Sequence, residues 1–376
     1  MPDPAAELEE LLARGVTTKP RPLYSGAVGL IQRGGKAEQF ATVGHTASWA
    51  DLSGTPVPPA QRHPIVADTL FDLASITKVF VSTVLLSLIE ENRLALDEPV
   101  AAWLPSYANG DRTGVTLRRL MTHTSGLPAL LSLWTDWPDR SARVEAILNA
   151  PLVHQPGTVF EYSCVGYLVA GLLAEQVTGQ TLAQLVQDRV CQPLGLTDTG
   201  YVFAGDRIDR VAATEYQPSI GRGMVRGQVH DENSWSLGGT GGNAGIFSTA
   251  ADLARFGEML RGYGAVDGVR VLRADTVAQM TRDQLPSDID PGFRHGLGVR
   301  INDANFMGIL ADGVFGHTGF TGTSLVVDRS RELVVVLLTN RVHPSRDWSD
   351  VAGVRRQVAG LAAAAGVARP SARSAR

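Results

Sequence analysis

Strand-like apolar runs occur in this chain only near its two ends, and the stretch between them is cut by proline into helix-sized pieces. Near the start, Ser25-Gly-Ala-Val-Gly-Leu-Ile-Gln-Arg33 and Gln39-Phe-Ala-Thr-Val-Gly-His45 flank a turn signal at Gly34-Gly35 and predict a hairpin. The last third returns to strands at His295 to Ile301, Val314 to Thr318, Thr323 to Asp328 and Leu333 to Thr339. These are close neighbours with short turns, so antiparallel pairing is expected. From Asp97 to about Arg226 the signals are helical or loop-like, broken at Pro105, Pro128, Pro138, Pro151, Pro156 and Pro193, with the clearest helices at Val165 to Glu175 and Thr181 to Val190. The two ends most simply share one sheet, with the middle inserted as a second unit. The expected division is a discontinuous sheet domain over 1–96 and 235–376, and a mainly helical insert over 97–234.

Further helices are expected at the acidic, amphipathic N-terminus, from about Ser75, in its first turn, to near Asn92, from about Ala250 to Gly262 with Ser248 or Thr249 as N-cap, and from Val351 to Val367; the tail from Pro370 is expected to be disordered. The N-terminus has no basic segment leading into an apolar core, and Val79 to Ile89 is too short for a membrane span, so a cytoplasmic protein is expected. A net charge of -4 with scattered Arg gives no electrostatic case for nucleic acid. Two cysteines, Cys164 and Cys191, predict free thiols, and their spacing fits no metal site. No cofactor is expected, and the sequence does not specify an oligomeric state.

Lysine is scarce. Of 34 Lys plus Arg, only Lys19, Lys36 and Lys78 are lysines. Arg cannot release its proton at usable pH whereas a buried Lys can, so a lysine kept inside the apolar run Phe71 to Ile89 points to a base with a depressed pKa. Ser75 precedes Lys78 by three residues, which on a helix puts hydroxyl and amine on one face. A serine hydroxyl becomes a nucleophile once a neighbour takes its proton, and a helix N-terminus favours the negative charge that then develops.

Two more stretches bear chemistry. Tyr162 follows the Pro156-Gly157 turn just before a helix, where a phenol near a cationic Lys can relay a proton. His317-Thr-Gly319-Phe320 joins two strands, and its glycine allows close backbone approach to a ligand.

Ser75-Ile-Thr-Lys78, Tyr162-Ser-Cys164 and His317-Thr-Gly319, in that order and spacing, resemble the three motifs of serine β-lactamases and penicillin-binding proteins. The likeness is strongest to the class C β-lactamase-related branch, which also holds D-peptidases and carboxylesterases. Phe71-Asp-Leu-Ala-Ser75, Leu120-Met-Thr-His-Thr-Ser-Gly-Leu-Pro128 and Gly316-His-Thr-Gly-Phe-Thr-Gly-Thr323 support it, over roughly residues 22 to 365. The resemblance implies an α+β fold, an antiparallel sheet flanked by helices with an inserted all-α domain. It further implies Ser75 as the acylated nucleophile, Lys78 as its base, Tyr162 as proton relay, and the N–H groups of Ser75 and Phe320 as the oxyanion hole.

Two positions depart from the familiar motifs. Cys164 stands where the family usually has Asn, so an amide contact to substrate is expected to be lost. His317 stands where familiar members have Lys, so a permanent cation is expected to be missing. The expected substrate is a small-molecule ester or amide, less charged than an antibiotic, handled by a serine hydrolase of the esterase kind. The alternatives are a lactam-cleaving or D-Ala-type peptidase, and a module that acylates without turnover. Loops around Trp134, Trp137 and Met224 to Trp235 are expected to shape the acyl pocket.

Overall fold

The computed structural model describes residues 4–201, 205–308 and 312–365; the tail from Pro370 lies outside the described residues. Seven strands form the main sheet: β1 (Gly26–Arg33), β2 (Lys36–Gly44), β3 (Arg294–His295), β4 (Arg300–Ile301), β5 (Phe315–Thr318), β6 (Ser324–Asp328) and β7 (Leu333–Thr339). Their order is β3-β4-β5-β6-β7-β1-β2, and every neighbouring pair is antiparallel. The register from Ala27↔Thr339 to Arg33↔Leu333 joins the two ends of the chain. Gly34 and Gly35 close the β1–β2 hairpin at φ 57° and 78°, the left-handed conformation that a two-residue hairpin turn requires.

Five helices carry much of the packing: α1 (Pro4–Thr17), α2 (Thr77–Glu90), α3 (Cys164–Thr178), α4 (Ala250–Arg261) and α5 (Ala352–Ala365). Side chains alternate across a strand, so β7, apolar at almost every position, must be covered on both faces. Val334, Val336 and Leu338 enter a core with α2, α3 and α4. Leu333, Val335 and Leu337 enter a second core with Leu8, Leu11 and Leu12 of α1 and Val354, Val358 and Ala362 of α5. Each such Leu or Val contributes about 1.5–3 kcal/mol by leaving water. Gly257 lets α4 lie close on the sheet, since a Cβ there would stand 2.7 Å from Val334. Phe80 of α2 stacks on Phe256 of α4 with ring centroids 3.9 Å apart.

The middle of the chain is mainly helical, as its prolines indicate, but it also carries the short strands Gly200–Tyr201, Tyr216–Gln217 and Gly223–Met224. Gly200–Tyr201 pairs with Ile246–Ser248, which in turn pairs with Phe71–Asp72. Leu120, Leu168 and Val169 of this middle share one core with Val334 and Phe80.

Three expectations need correction. The helix expected to carry Ser75 in its first turn begins as a 3-10 turn at Ala74–Ile76, after a strand at Phe71–Asp72, and α2 itself starts at Thr77. His295 to Ile301 is not one strand but two, β3 and β4, with Gly296 and Gly298 between them. The helix expected from Thr181 to Val190 keeps its cap, a reciprocal Thr181–Gln184 box, but passes from α-helix at Leu182–Val186 into a π-turn at Gln187–Cys191. Thr249 caps α4, accepting the Asp252 N–H. Among the described residues, no helix is long and apolar enough to cross a membrane.

Candidate active site

The segment that presents Ser75 is held from both sides. Thr321 Oγ1 donates to the Asp72 carbonyl at 2.6 Å and Thr323 Oγ1 to the Leu73 carbonyl at 3.0 Å, which ties it to the loop after β5. The buried Asp72 carboxylate accepts the N–H of Ala74 at 2.8 Å and of His230 at 2.6 Å. Ala74 has φ 47°, a left-handed conformation costly for a residue with a Cβ. That conformation, supported by Asp72, turns the chain immediately before Ser75. Ser75 is half-buried at the 3-10 turn, and Lys78, one residue into α2, is fully buried.

Ser75 and Lys78 meet although a helix joins them only in part: Lys78 Nζ donates to Ser75 Oγ at 3.1 Å. The same nitrogen donates to the Asn243 carbonyl at 3.0 Å and lies 3.7 Å from Cys164 Sγ. It stands 5.0 Å above the Tyr162 ring. Burial, the largest influence, pulls the Lys78 pKa down, yet the surrounding Cys164, Tyr162 and Asp231 side chains outweigh it and the net direction is up. The simply depressed amine expected from the sequence is therefore corrected. Burial also raises the Cys164 thiol, which keeps it protonated at neutral pH.

Tyr162 sits beside three buried histidines. Its ring is 4.4 Å from His123 and 6.2 Å from His317, and His123 is 5.2 Å from His295. Burial, aided by Arg300 and Lys78, pushes His317 far below its ordinary range, and its Nδ1 donates to the Thr318 carbonyl at 2.7 Å. His317 is therefore neutral and turned inward, and supplies no cation.

Ser75, Tyr162, Arg300, Thr318, Gly319, Phe320, Arg341, Asp350 and Arg355 line one open pocket of about 280 Å³. Strand β4 pairs with β5 only through Phe315 and Gly316, so the edge of Thr318 to Phe320 is left open towards it. Among the described residues, neither the Ser75 nor the Phe320 backbone N–H has a hydrogen-bond partner. Gly319 cannot be larger: a Cβ would stand 2.0 Å from Thr323 Oγ1 and 2.3 Å from the Leu73 carbonyl. Phe320 is 48% exposed, stacked on His230 at 5.7 Å and under Arg341 at 4.5 Å. Among the described residues, no group of three or more His, Cys, Asp or Glu is placed to hold a metal ion.

The structure thus brings Ser75, Lys78, Tyr162, Cys164, His317, Gly319 and Phe320 together. Trp134, Trp137 and the 224–235 loop do not line the pocket; Trp137 packs on the core and Trp235 carries the Arg222 guanidinium at 4.7 Å. Sequence reasoning passed over Asn243, whose buried side chain adjoins the Cys164 thiol. Its only signal was the glycine-rich passage, where a Cβ at Gly242 would stand 1.9 Å from the Tyr167 carbonyl. It also passed over Arg300, Arg341 and Arg355, three cations facing one carboxylate, Asp350, around the pocket. Scattered singly through the sequence, they carried no signal. Arg355 donates to the carbonyls of Gly319 and Thr323 at 2.7 and 2.9 Å, and burial lowers its pKa to about 10.

The chain is similar to known proteins over most of its length. A protein of Escherichia coli (strain K12) named as a D-alanyl-D-alanine carboxypeptidase is 34% identical over 309 residues, covering 73% of this chain and 70% of its own. Among solved structures, EstCE1, a hydrolase with promiscuous acyltransferase activity, superposes with a TM-score of 0.74 at 23% identity, over 96% of this chain and 98% of its own. A family VIII carboxylesterase gives 0.69 at 22% identity, over 96% and 98%. The β-lactamase family model matches residues 19–360, so the chain belongs to the β-lactamase family and is a serine hydrolase.

Proposed function

We propose that the protein hydrolyses small ester or amide substrates through an acyl-enzyme on Ser75. The observation that carries this reading is the 3.1 Å contact from Lys78 Nζ to Ser75 Oγ at the floor of a pocket that also presents Tyr162 and two unpartnered N–H groups. Ser75 Oγ attacks the carbonyl carbon, its proton passes to the Lys78–Tyr162 pair, and the carbonyl oxygen takes the charge between the N–H groups of Ser75 and Phe320. Tyr162 returns a proton to the leaving group. Water then attacks the acyl carbon and loses a proton to the same pair, the bond from that carbon to Ser75 Oγ breaks, and the pair returns the proton to Ser75 as the acid leaves.

A second reading, a D-Ala-type peptidase, is favoured by the arginines. His317 holds no charge, but Arg300, Arg341 and Arg355 do, so a substrate carboxylate can be received in this pocket after all. Mass spectrometry after a fluorophosphonate, with Ser75→Ala as control, tests the nucleophile; absence of a Ser75 adduct would sink both readings. Turnover of a neutral p-nitrophenyl ester against its carboxylate-bearing analogue separates them. Preference for the neutral ester supports the esterase reading, and a preference for the anionic one that disappears in Arg300→Ala supports the peptidase reading.

A further inference from the structure

We infer that His123 is a positioning residue that grips the Tyr162 segment at three consecutive residues. The inference rests on the proposed role of Tyr162 as proton relay. The His123 carbonyl accepts the Glu161 N–H at 2.9 Å, its ring lies 4.4 Å from the Tyr162 ring at an interplanar angle of 37°, and its Nδ1 accepts the Ser163 N–H at 3.0 Å. One turn of chain thus contacts residues 161, 162 and 163 by backbone, ring and ring nitrogen in succession.

Two features go beyond packing. His123 has φ 58°, a left-handed conformation that few residues with a Cβ adopt and that aims carbonyl and side chain at the same neighbouring strand of chain. Accepting a backbone N–H at Nδ1 also fixes the tautomer, with the proton on Nε2. Burial holds the imidazole uncharged, so the acceptor is kept through the neutral pH range.

The far side of the segment is equally fixed. Ser163 caps α3, accepting the Gly166 N–H at 2.9 Å and donating to the Pro128 carbonyl at 2.6 Å. Tyr162 therefore has His123 on one side and a helix cap on the other. Its phenol stands over Lys78 because the backbone on both sides is held, although its own side chain is only half-buried. A phenylalanine at 123 could preserve the ring contact but not the acceptor. An asparagine could preserve the acceptor and adopt the left-handed φ.

The test uses the full chain with His123→Phe and His123→Asn, each with native Tyr162 and with Tyr162→Phe, and reads amide hydrogen exchange at Glu161 and Ser163 beside kcat on a p-nitrophenyl ester. His123→Phe is expected to speed Ser163 exchange by about tenfold and lower kcat by roughly 10- to 100-fold with native Tyr162, but to cost less than about twofold once Tyr162 is Phe. His123→Asn is expected to recover both. Unchanged Ser163 exchange in His123→Phe overturns the grip, and an equal loss of kcat in both backgrounds overturns its action through Tyr162. If Tyr162→Phe alone turns over normally, the relay reading fails, and the exchange data decide the grip without it.

Discussion

His343 offers a quantitative test of how burial sets charge in this protein. It is buried, and its Nδ1 donates to the Thr214 carbonyl at 3.0 Å while Nε2 accepts the N–H groups of Ser48 and Trp49 at 3.0 and 3.1 Å. Burial, the dominant cause, pushes its pKa from 6.5 to about 4; the Thr214 bond pulls it up and Arg226 pushes it down. A protonated Nε2 could not accept either N–H. The unfolded chain therefore binds the proton first as pH falls, so the stabilisation is complete above the unfolded pKa and is lost towards the folded one. At about pH 5 the unfolded imidazole is about 97% protonated and the native one about 9%, which makes His343 responsible for about 2 kcal/mol of the stability lost between about pH 8 and 5. Urea unfolding of the wild type and His343→Gln at both values measures this directly. The variant is expected to be less stable at each pH, yet its loss between them should be smaller by about 2 kcal/mol. Equal losses in both proteins, to within about 0.5 kcal/mol, would refute the argument that burial keeps this imidazole neutral.

Other outcomes follow from the site. Lys78→Arg keeps a cation but not a base, so Ser75 acylation should fall by roughly 10²- to 10⁴-fold; a near-normal stopped-flow burst would place the base at Tyr162 held by a cation instead. Gly319→Ala must push the new Cβ against Thr323 Oγ1 and the Leu73 carbonyl, so urea midpoints should report a loss of about 1–3 kcal/mol together with slower acylation. Cys164→Asn returns an amide to the second motif beside Lys78; the kcat/KM ratio of a cephalosporin to an ester should rise by roughly tenfold, and an unchanged ratio would show that the thiol does not set substrate choice.

The fold was legible because its sheet is written in local patterns. The β1–β2 hairpin follows from two apolar runs around Gly34-Gly35, and β5, β6 and β7 from runs separated by short turns. That the ends share the sheet followed from economy of connection, and the Ala27↔Thr339 register agrees. Boundaries were less legible where tertiary contacts override local preference. Phe71–Asp72 is a strand because Ile246–Ser248 lies beside it, and Ser75 sits in a 3-10 turn ahead of α2, after a left-handed Ala74 whose N–H Asp72 accepts.

Within the site, the three-residue spacing of Ser75 and the rare Lys78 could be read along the chain, and Tyr162 joined them through the resemblance of the three motifs. Only the tertiary structure decided the electrostatics. The Lys78 pKa depends on Cys164, Tyr162 and Asp231, which lie 84 to 153 residues away in sequence. The positive charge that His317 does not provide comes from Arg300, Arg341 and Arg355, each isolated along the chain and adjacent only around the pocket. Hydrophobic period and turn chemistry act over a few residues and can be read along a chain, whereas Coulomb and desolvation energies depend on distance and burial in three dimensions.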